Sequence, residues 1–253
     1  MNVSIEPAVL VGFCLVLVRA TAWTMICPPF NAPAIPLRVR GGFAVGIAFL
    51  LAKQMGAQVQ SFTTASLIVS LVTQMIAGFA LGFVIFALFS VVQTAGELID
   101  LQVGFSMGAV LDPLSGNNST PIGRFHQLLG LAMLFAINGH VIIVRAFLRS
   151  VQVAPLGHIN TAALASALTK IVGMLVGAAI EIALPILAAL FCSELAIGFL
   201  GKAAPQLNLM VIGFAVKTLI AFGLLATMFA MLPESVDSLV GQGIRTALSV
   251  FRG

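Results

Sequence analysis

Charge is scarce in this chain. Lys, Arg, Asp and Glu make up 8% of its 253 residues, against about 25% in ordinary soluble domains. The twelve Lys and Arg are spread thinly, giving a net charge of +4 with no basic run, so nucleic-acid binding has no electrostatic footprint. Tyrosine is absent and Trp23 is the single tryptophan. The aromatic belt that usually marks membrane–water boundaries is therefore thin, and much of the surface is expected to meet protein instead of lipid. The three cysteines, Cys14, Cys27 and Cys192, are isolated; they form neither a disulfide framework nor a metal-ligand pattern. The opening M-N-V-S-I-E-P has an acidic residue and no basic one before its apolar run, a poor cleavable signal peptide, so the first apolar segment is expected to be retained.

What fills the chain instead is hydrocarbon. Apolar residues reach 60% and the mean hydropathy is +1.14. A soluble protein of this length could not hide that much apolar surface. The expectation is an all-α integral membrane protein. Ala8 to Cys27 is long enough to cross a bilayer despite Arg19. Cys27 to Pro36 holds four prolines and is expected to be non-helical, and Gly41 to Ala52 is too short to span upright. Phe62 to Val92 runs unbroken for about thirty residues. At 1.5 Å per residue that is about 45 Å of helix, more than a hydrocarbon core of about 30 Å, so it must tilt, bend or project. Leu128 to Leu148 reads as one helix, followed by a polar link from Arg149 to Asn160. Ile171 to Leu200 is again about thirty residues, with a kink expected at Pro185. Gly201 to Leu207 is a tight connection, Asn208 to Leu232 closes the apolar set, and Pro233 to Gly253 is a mildly amphipathic tail. The sum is five or six hydrophobic helices of uneven length with kinked hairpins, in one domain over 1–253. Close helix approach is suggested by G-x-x-x-G spacing at Gly42/Gly46, Gly78/Gly82, Gly104/Gly108 and Gly173/Gly177.

One stretch breaks the apolar pattern. Ala95 to Arg124 gathers polar, acidic and turn-forming residues between two apolar runs. Helical spacing carries through about Leu111 and places Glu97 and Asp100 on one face. Asp112-Pro113 stops a helix, because the residue before proline is pushed out of the α region. Ser115 to Thr120 is a run of turn formers, and Pro121 suits the first position of a new helix. Irregular backbone at membrane depth survives only inside protein or beside a water-filled cavity. Glu97, Asp100, Asp112 and Arg124 rim this loop, either as a solvated face or as the charged mouth of a gated conduit.

Chemistry-bearing patterns here have bland readings beside them. Gly104-Phe105-Ser106-Met107-Gly108 matches G-x-S-x-G, with Asp112 and His126 following in triad order. That pattern needs a strand before the serine, and a helical run stands there. His126 and His140 are fourteen residues apart, about 21 Å along a single helix, so they cannot share a metal. G-N-N-S-T-P-I-G lacks the lysine of a nucleotide-binding loop. Arg19, Glu181, Glu194 and Lys217 lie in apolar runs, where charge must be paired or hydrated. If the last two long helices form a hairpin about Ala204, Glu194 and Lys217 fall level and pair, while Glu181 is out of reach. No catalytic group, cofactor or metal site is expected.

Three blocks stand out together: A-G-E-L-I-D-L-Q-V-G-F-S running into L-D-P (Ala95 to Pro113), Asn138-Gly139-His140 within L-F-A-I-N-G-H, and A-P-Q-L-N-x-x-V-I-G-F (Ala204 to Phe214). In this order and spacing they resemble the FliR/SctT family of type III secretion export-gate proteins. The similarity extends over most of the chain, and the first block is closer in style to the flagellar branch than to the virulence injectisome branch. The resemblance implies a multi-pass subunit of the bacterial inner membrane, in the flagellar basal body. It would join FliP-like and FliQ-like subunits in a helical export gate, with FlhB-like and FlhA-like components nearby. Unfolded flagellar proteins would be its cargo. The family's central loop plugs the pore, and by position that loop is Ser106 to Thr120. Gly108 and Gly116, with Gly104 before them, would let it move. Met107, Val110, Leu111 and Leu114 would seal against ions, with Asp112, Pro113 and Asn117 completing the plug and Glu97, Asp100 and Arg124 at its rim. A stand-alone secondary transporter, which would show paired repeats with broken helices, and an intramembrane hydrolase using Ser106 are the other classes.

Overall fold

A computed structural model describes residues 6–59, 63–106, 120–153 and 161–250. Every regular element among them is an α-helix: α1 (Pro7–Ile26), α2 (Leu37–Gly56), α3 (Thr64–Val103), α4 (Pro121–Ala136), α5 (Gly139–Val153), α6 (Thr161–Ala203) and α7 (Leu209–Val250). Four of them contain stretches long and apolar enough to cross a membrane, and α4 with α5 makes a fifth if counted as one broken span. The chain is an all-α membrane protein.

The helix ends follow local chemistry, with several departures from the sequence pattern. Pro7 and Pro121 open α1 and α4 at a position where a missing N–H costs nothing. Pro36 precedes α2, which runs for 20 residues. It takes in Arg38, Arg40 and Lys53 at its ends, so it is longer than its apolar stretch of Gly41 to Ala52. The apolar run from Phe62 and the acidic stretch after Ala95 are one helix, α3, of 40 residues. It stops at Val103, short of Leu111, because Gly104 takes a left-handed φ of 108° that L-residues avoid. Gly104 is thus a helix-ending glycine and no part of a helical G-x-x-x-G face; Gly108 lies outside the described residues. Leu128 to Leu148 is two helices, because Asn138 breaks the run with φ 55°, a conformation asparagine tolerates. His126 and His140 therefore sit on different helices. Helix α6 continues through Pro185 over 43 residues, and α7 absorbs the expected tail.

The chain divides into two compact units, and α3, α6 and α7 contribute residues to both. In the first (1–88, 138–172 and 240–253), α1 and α2 cross with backbones touching. A Cβ on Gly12 would sit 2.9 Å from Gly56 Cα, and one on Gly56 would sit 2.6 Å from the Ala8 carbonyl oxygen. Helix α3 approaches α1 equally closely at Gly78 and Gly82, where added methyl groups would press on the carbonyls of Arg19 and Trp23. This is what small residues at helix interfaces allow. The core of this unit centres on Trp23, packed at tilted angles among Phe30, Phe43 and Phe147 at centroid distances of 5.0, 6.5 and 4.6 Å. Beside it the fully buried Arg19 donates to the Ser150 carbonyl at 3.2 Å. The second unit (89–137 and 173–239) carries both ends of the central loop.

Candidate functional site at the base of the central loop

In the second unit the C-terminal end of α3 and the N-terminal end of α4 run antiparallel. Their seam is made by glycines. Gly130 faces Val92, with a would-be Cβ 3.5 Å from Val92 Cγ1. Nearer the loop, a Cβ on Gly96 would stand 2.9 Å from Gly123 Cα, the Ile122 oxygen and His126 Nδ1 alike. Nothing larger than hydrogen fits there. His126 is fully buried in this seam, its Nδ1 2.9 Å from the Ile122 carbonyl.

Both ends of the loop are tied at this base. On the α3 side, the carbonyl of Asp100 accepts from the N–H groups of Gly104 at 2.9 Å and Phe105 at 3.0 Å, the second being the 6→1 bond of a Schellman-type helix end. On the α4 side, the carboxylate of Asp100 accepts from the N–H of Gly123 at 2.8 Å. Gly123 is the third residue of α4, whose Thr120 makes no side-chain cap. Asp100 therefore supplies from another helix the cap that α4 lacks, where the helix dipole favours negative charge.

The charges expected around the loop occupy three different environments. Asp100 is fully buried. Glu97 is half-buried and accepts from Gln93 at 2.9 Å. Arg124 is exposed and donates to Gln127 at 2.9 Å. Phe105 packs edge-on against Phe214 at 5.5 Å and Phe222 at 6.5 Å, both on α7. One turn earlier Gln102 donates to Glu194 at 2.7 Å, and Glu194 pairs with Lys217 at 3.1 Å. The pair expected from hairpin spacing is present, and it continues to the foot of the loop. Glu181 is exposed. Ser106 lies in the turn after α3, so a helix precedes it where a nucleophile elbow requires a strand. Met107, Gly108, Val110, Leu111, Asp112, Pro113, Leu114, Gly116 and Asn117 lie outside the described residues.

Comparison with known proteins bears on this arrangement as a whole. The family described as bacterial export proteins, family 1, matches residues 10–243, both ends of the loop included. The chain belongs to that family. Among the relatives of this export family, the flagellar biosynthetic protein FliR of Escherichia coli K12 is 31% identical over 229 residues, 89% of this chain and 87% of that protein. FliR of Bacillus subtilis is 26% identical over 246 residues, 94% of this chain and 95% of its own length. The surface presentation of antigens protein SpaR of Shigella flexneri is 26% identical over 148 residues, 58% of this chain and 57% of that protein. This export-family member is a multi-pass inner-membrane component of the flagellar protein-export apparatus.

Sequence reasoning missed the tie itself. Gly96, Gln102, Phe105 and Gly123 carried no pattern of their own, and Asp100 read as a rim charge. The available signal was an acid on the last turns of one helix facing a Pro-x-Gly start on the next.

Proposed function

We propose that the segment from Ser106 to Thr120 closes the export pathway, as a plug on the base formed by α3 and α4. The observation that carries this reading is the tied base: a close seam built on Gly96, Gly123 and Gly130 holds both ends of a Gly/Asn/Ser-rich loop. About 15 residues, if extended out and back at about 3.3 Å each, would reach about 25 Å, enough to lie across a lumen. Met107, Val110, Leu111 and Leu114 would supply the apolar seal. Passage of unfolded flagellar proteins would need no covalent chemistry from this chain.

The partners in this reading are FliP-like and FliQ-like membrane subunits, with FlhB-like and FlhA-like components of the same apparatus. Two features support a chain built to be surrounded by protein. Helices α6 and α7 expose large apolar side chains, among them Phe191, Phe199, Met210 and Leu219. Gly42, Gly46, Gly173 and Gly177 have nothing within 4 Å of a would-be Cβ, leaving two close-approach faces open. That α3, α6 and α7 each belong to both compact units supports residues 1–253 working as one module. A virulence-injectisome role is the second reading, favoured by the likeness to SpaR; the longer coverage by flagellar relatives weighs against it.

The test is deletion of Ser106 to Thr120 in cells expressing the whole apparatus. The complex should still assemble, and resting ion permeability of the membrane should rise. Unchanged permeability would refute the plug.

A further inference from the structure

We propose that one end of the first compact unit binds anionic phospholipid headgroups, through Arg38, Arg145 and Arg149. The charge of this unit is one-sided: it holds nine of the chain's twelve Lys and Arg but one of its eight Asp and Glu. Packing against α1 fixes where the arginines lie. Trp23 of α1 meets Phe43 of α2 and Phe147 of α5, and Arg19 meets Ser150. Moving down α1 from Trp23 to Arg19 therefore moves up α5 from Phe147 to Ser150, so these helices are antiparallel. Gly12 against Gly56 makes α2 antiparallel to α1 as well. Arg145 and Arg149 stand two residues either side of Phe147, about 3 Å along the axis, and Arg38 stands five before Phe43, about 8 Å. All three thus lie within about 8 Å of the level at which α1 ends, at Ile26.

Side chains on a helix lean toward its N-terminus. Helices α2 and α5 both begin at this end, so the three arginines lean out toward it, and both helices present their positive dipole ends there. All three arginines are exposed, and among the described residues none has a hydrogen-bond or ion-pair partner. Arg40 differs, since its guanidinium donates to the carbonyls of Asn31, Ala32 and Ile35 in the connection between α1 and α2. Exposed aliphatic residues stand among the free arginines: Leu37 and Val39 beside Arg38, and Val141 and Ile142 one turn before Arg145. Helix α5 buries Ile143, Ala146, Phe147 and Ser150, so its basic face is the outer one. Water alone would leave the aliphatic side chains uncovered, and hydrocarbon alone would leave the arginines unpaired. The end of α1, a helix long and apolar enough to cross a membrane, is where a bilayer offers phosphates above acyl chains. Arginine heads on aliphatic stems match that layering.

The experiment uses the full chain, purified in dodecyl maltoside, stripped of lipid and titrated with dioleoylphosphatidylglycerol or dioleoylphosphatidylcholine. Bound phospholipid is read as phosphorus per protein, and folding as the melting midpoint. The wild type should prefer phosphatidylglycerol. The double variant Arg145→Gln with Arg149→Gln should bind it about thirtyfold more weakly, about fivefold for each arginine, with phosphatidylcholine binding unchanged. Arg38→Gln should weaken it about fivefold. Lys53→Gln, near the other end of α2, should leave both lipids as they were. Equal retention of the two lipids by the wild type overturns the proposal. So does a double variant that binds like the wild type, or a Lys53→Gln loss as large as that of the arginine variants. If the double variant does not fold, Arg38→Gln and Arg149→Gln decide by the same readings, and failure of these to fold overturns it too. In the co-expressed export complex, a double variant that lowers complex yield while keeping the lipid preference would mean that an acidic partner covers this face, and would overturn the lipid assignment.

Discussion

Replacing Gly96 with alanine tests the seam on which the loop stands. The new methyl group would lie 2.9 Å from Gly123 Cα, the Ile122 carbonyl oxygen and His126 Nδ1, where ordinary contact begins at 3.4 Å. Two of these atoms are backbone in the first turn of α4, and the histidine ring is held against the Ile122 carbonyl. No flexible side chain can swing aside, so α4 itself must move by about half an ångström. Overpacking of this kind costs about 1–3 kcal/mol. Alanine regains about 0.5–1 kcal/mol because it suits a helix better than glycine. The net expectation is a loss of about 1 kcal/mol. It is read as a lower melting midpoint of the solubilised chain. The control is Gly173→Ala, where nothing lies within 4 Å and the midpoint should stay level or rise. A Gly96→Ala chain melting at or above wild type would refute the close seam, and with it the geometry assigned to Asp100.

Two further outcomes follow from the same structure. Leucine at both Gly173 and Gly177 should leave the isolated chain's midpoint at or above wild type and lower the yield of the mixed complex; an undiminished yield would mean that this face meets lipid. In a double-mutant cycle on melting, Glu194→Gln and Lys217→Met should couple by less than about 1 kcal/mol, because the Glu194 side chain is 52% exposed; coupling well above that would mean the bilayer or a partner dehydrates the pair.

Much of the fold was legible because hydrophobic length is a local sum. The scarcity of charge and the long apolar runs set the membrane class, and proline and glycine marked most helix starts and ends. The pairing of Glu194 with Lys217 was also legible, since similar distances from a tight turn place residues roughly level on an antiparallel hairpin. The break at Asn138 was not. The apolar run from Leu128 to Leu148 has no proline, and asparagine enters the left-handed region only when its surroundings favour it. Nor did spacing separate the G-x-x-x-G pairs. Gly78/Gly82 packs against α1, Gly42/Gly46 and Gly173/Gly177 stand open, and Gly104 ends a helix.

The sequence by itself determined an all-helical membrane chain and, through three blocks of residues, its kinship with export-gate proteins. These depend on composition, on runs and on order along the chain. Tertiary structure alone decided that Asp100 is a buried tie and not a rim charge, and that Gly96 and Gly123 are where two helices meet. A residue's exposure and its bonding partner depend on which helix faces it across 23 positions of intervening chain, and no periodicity within either helix carries that information.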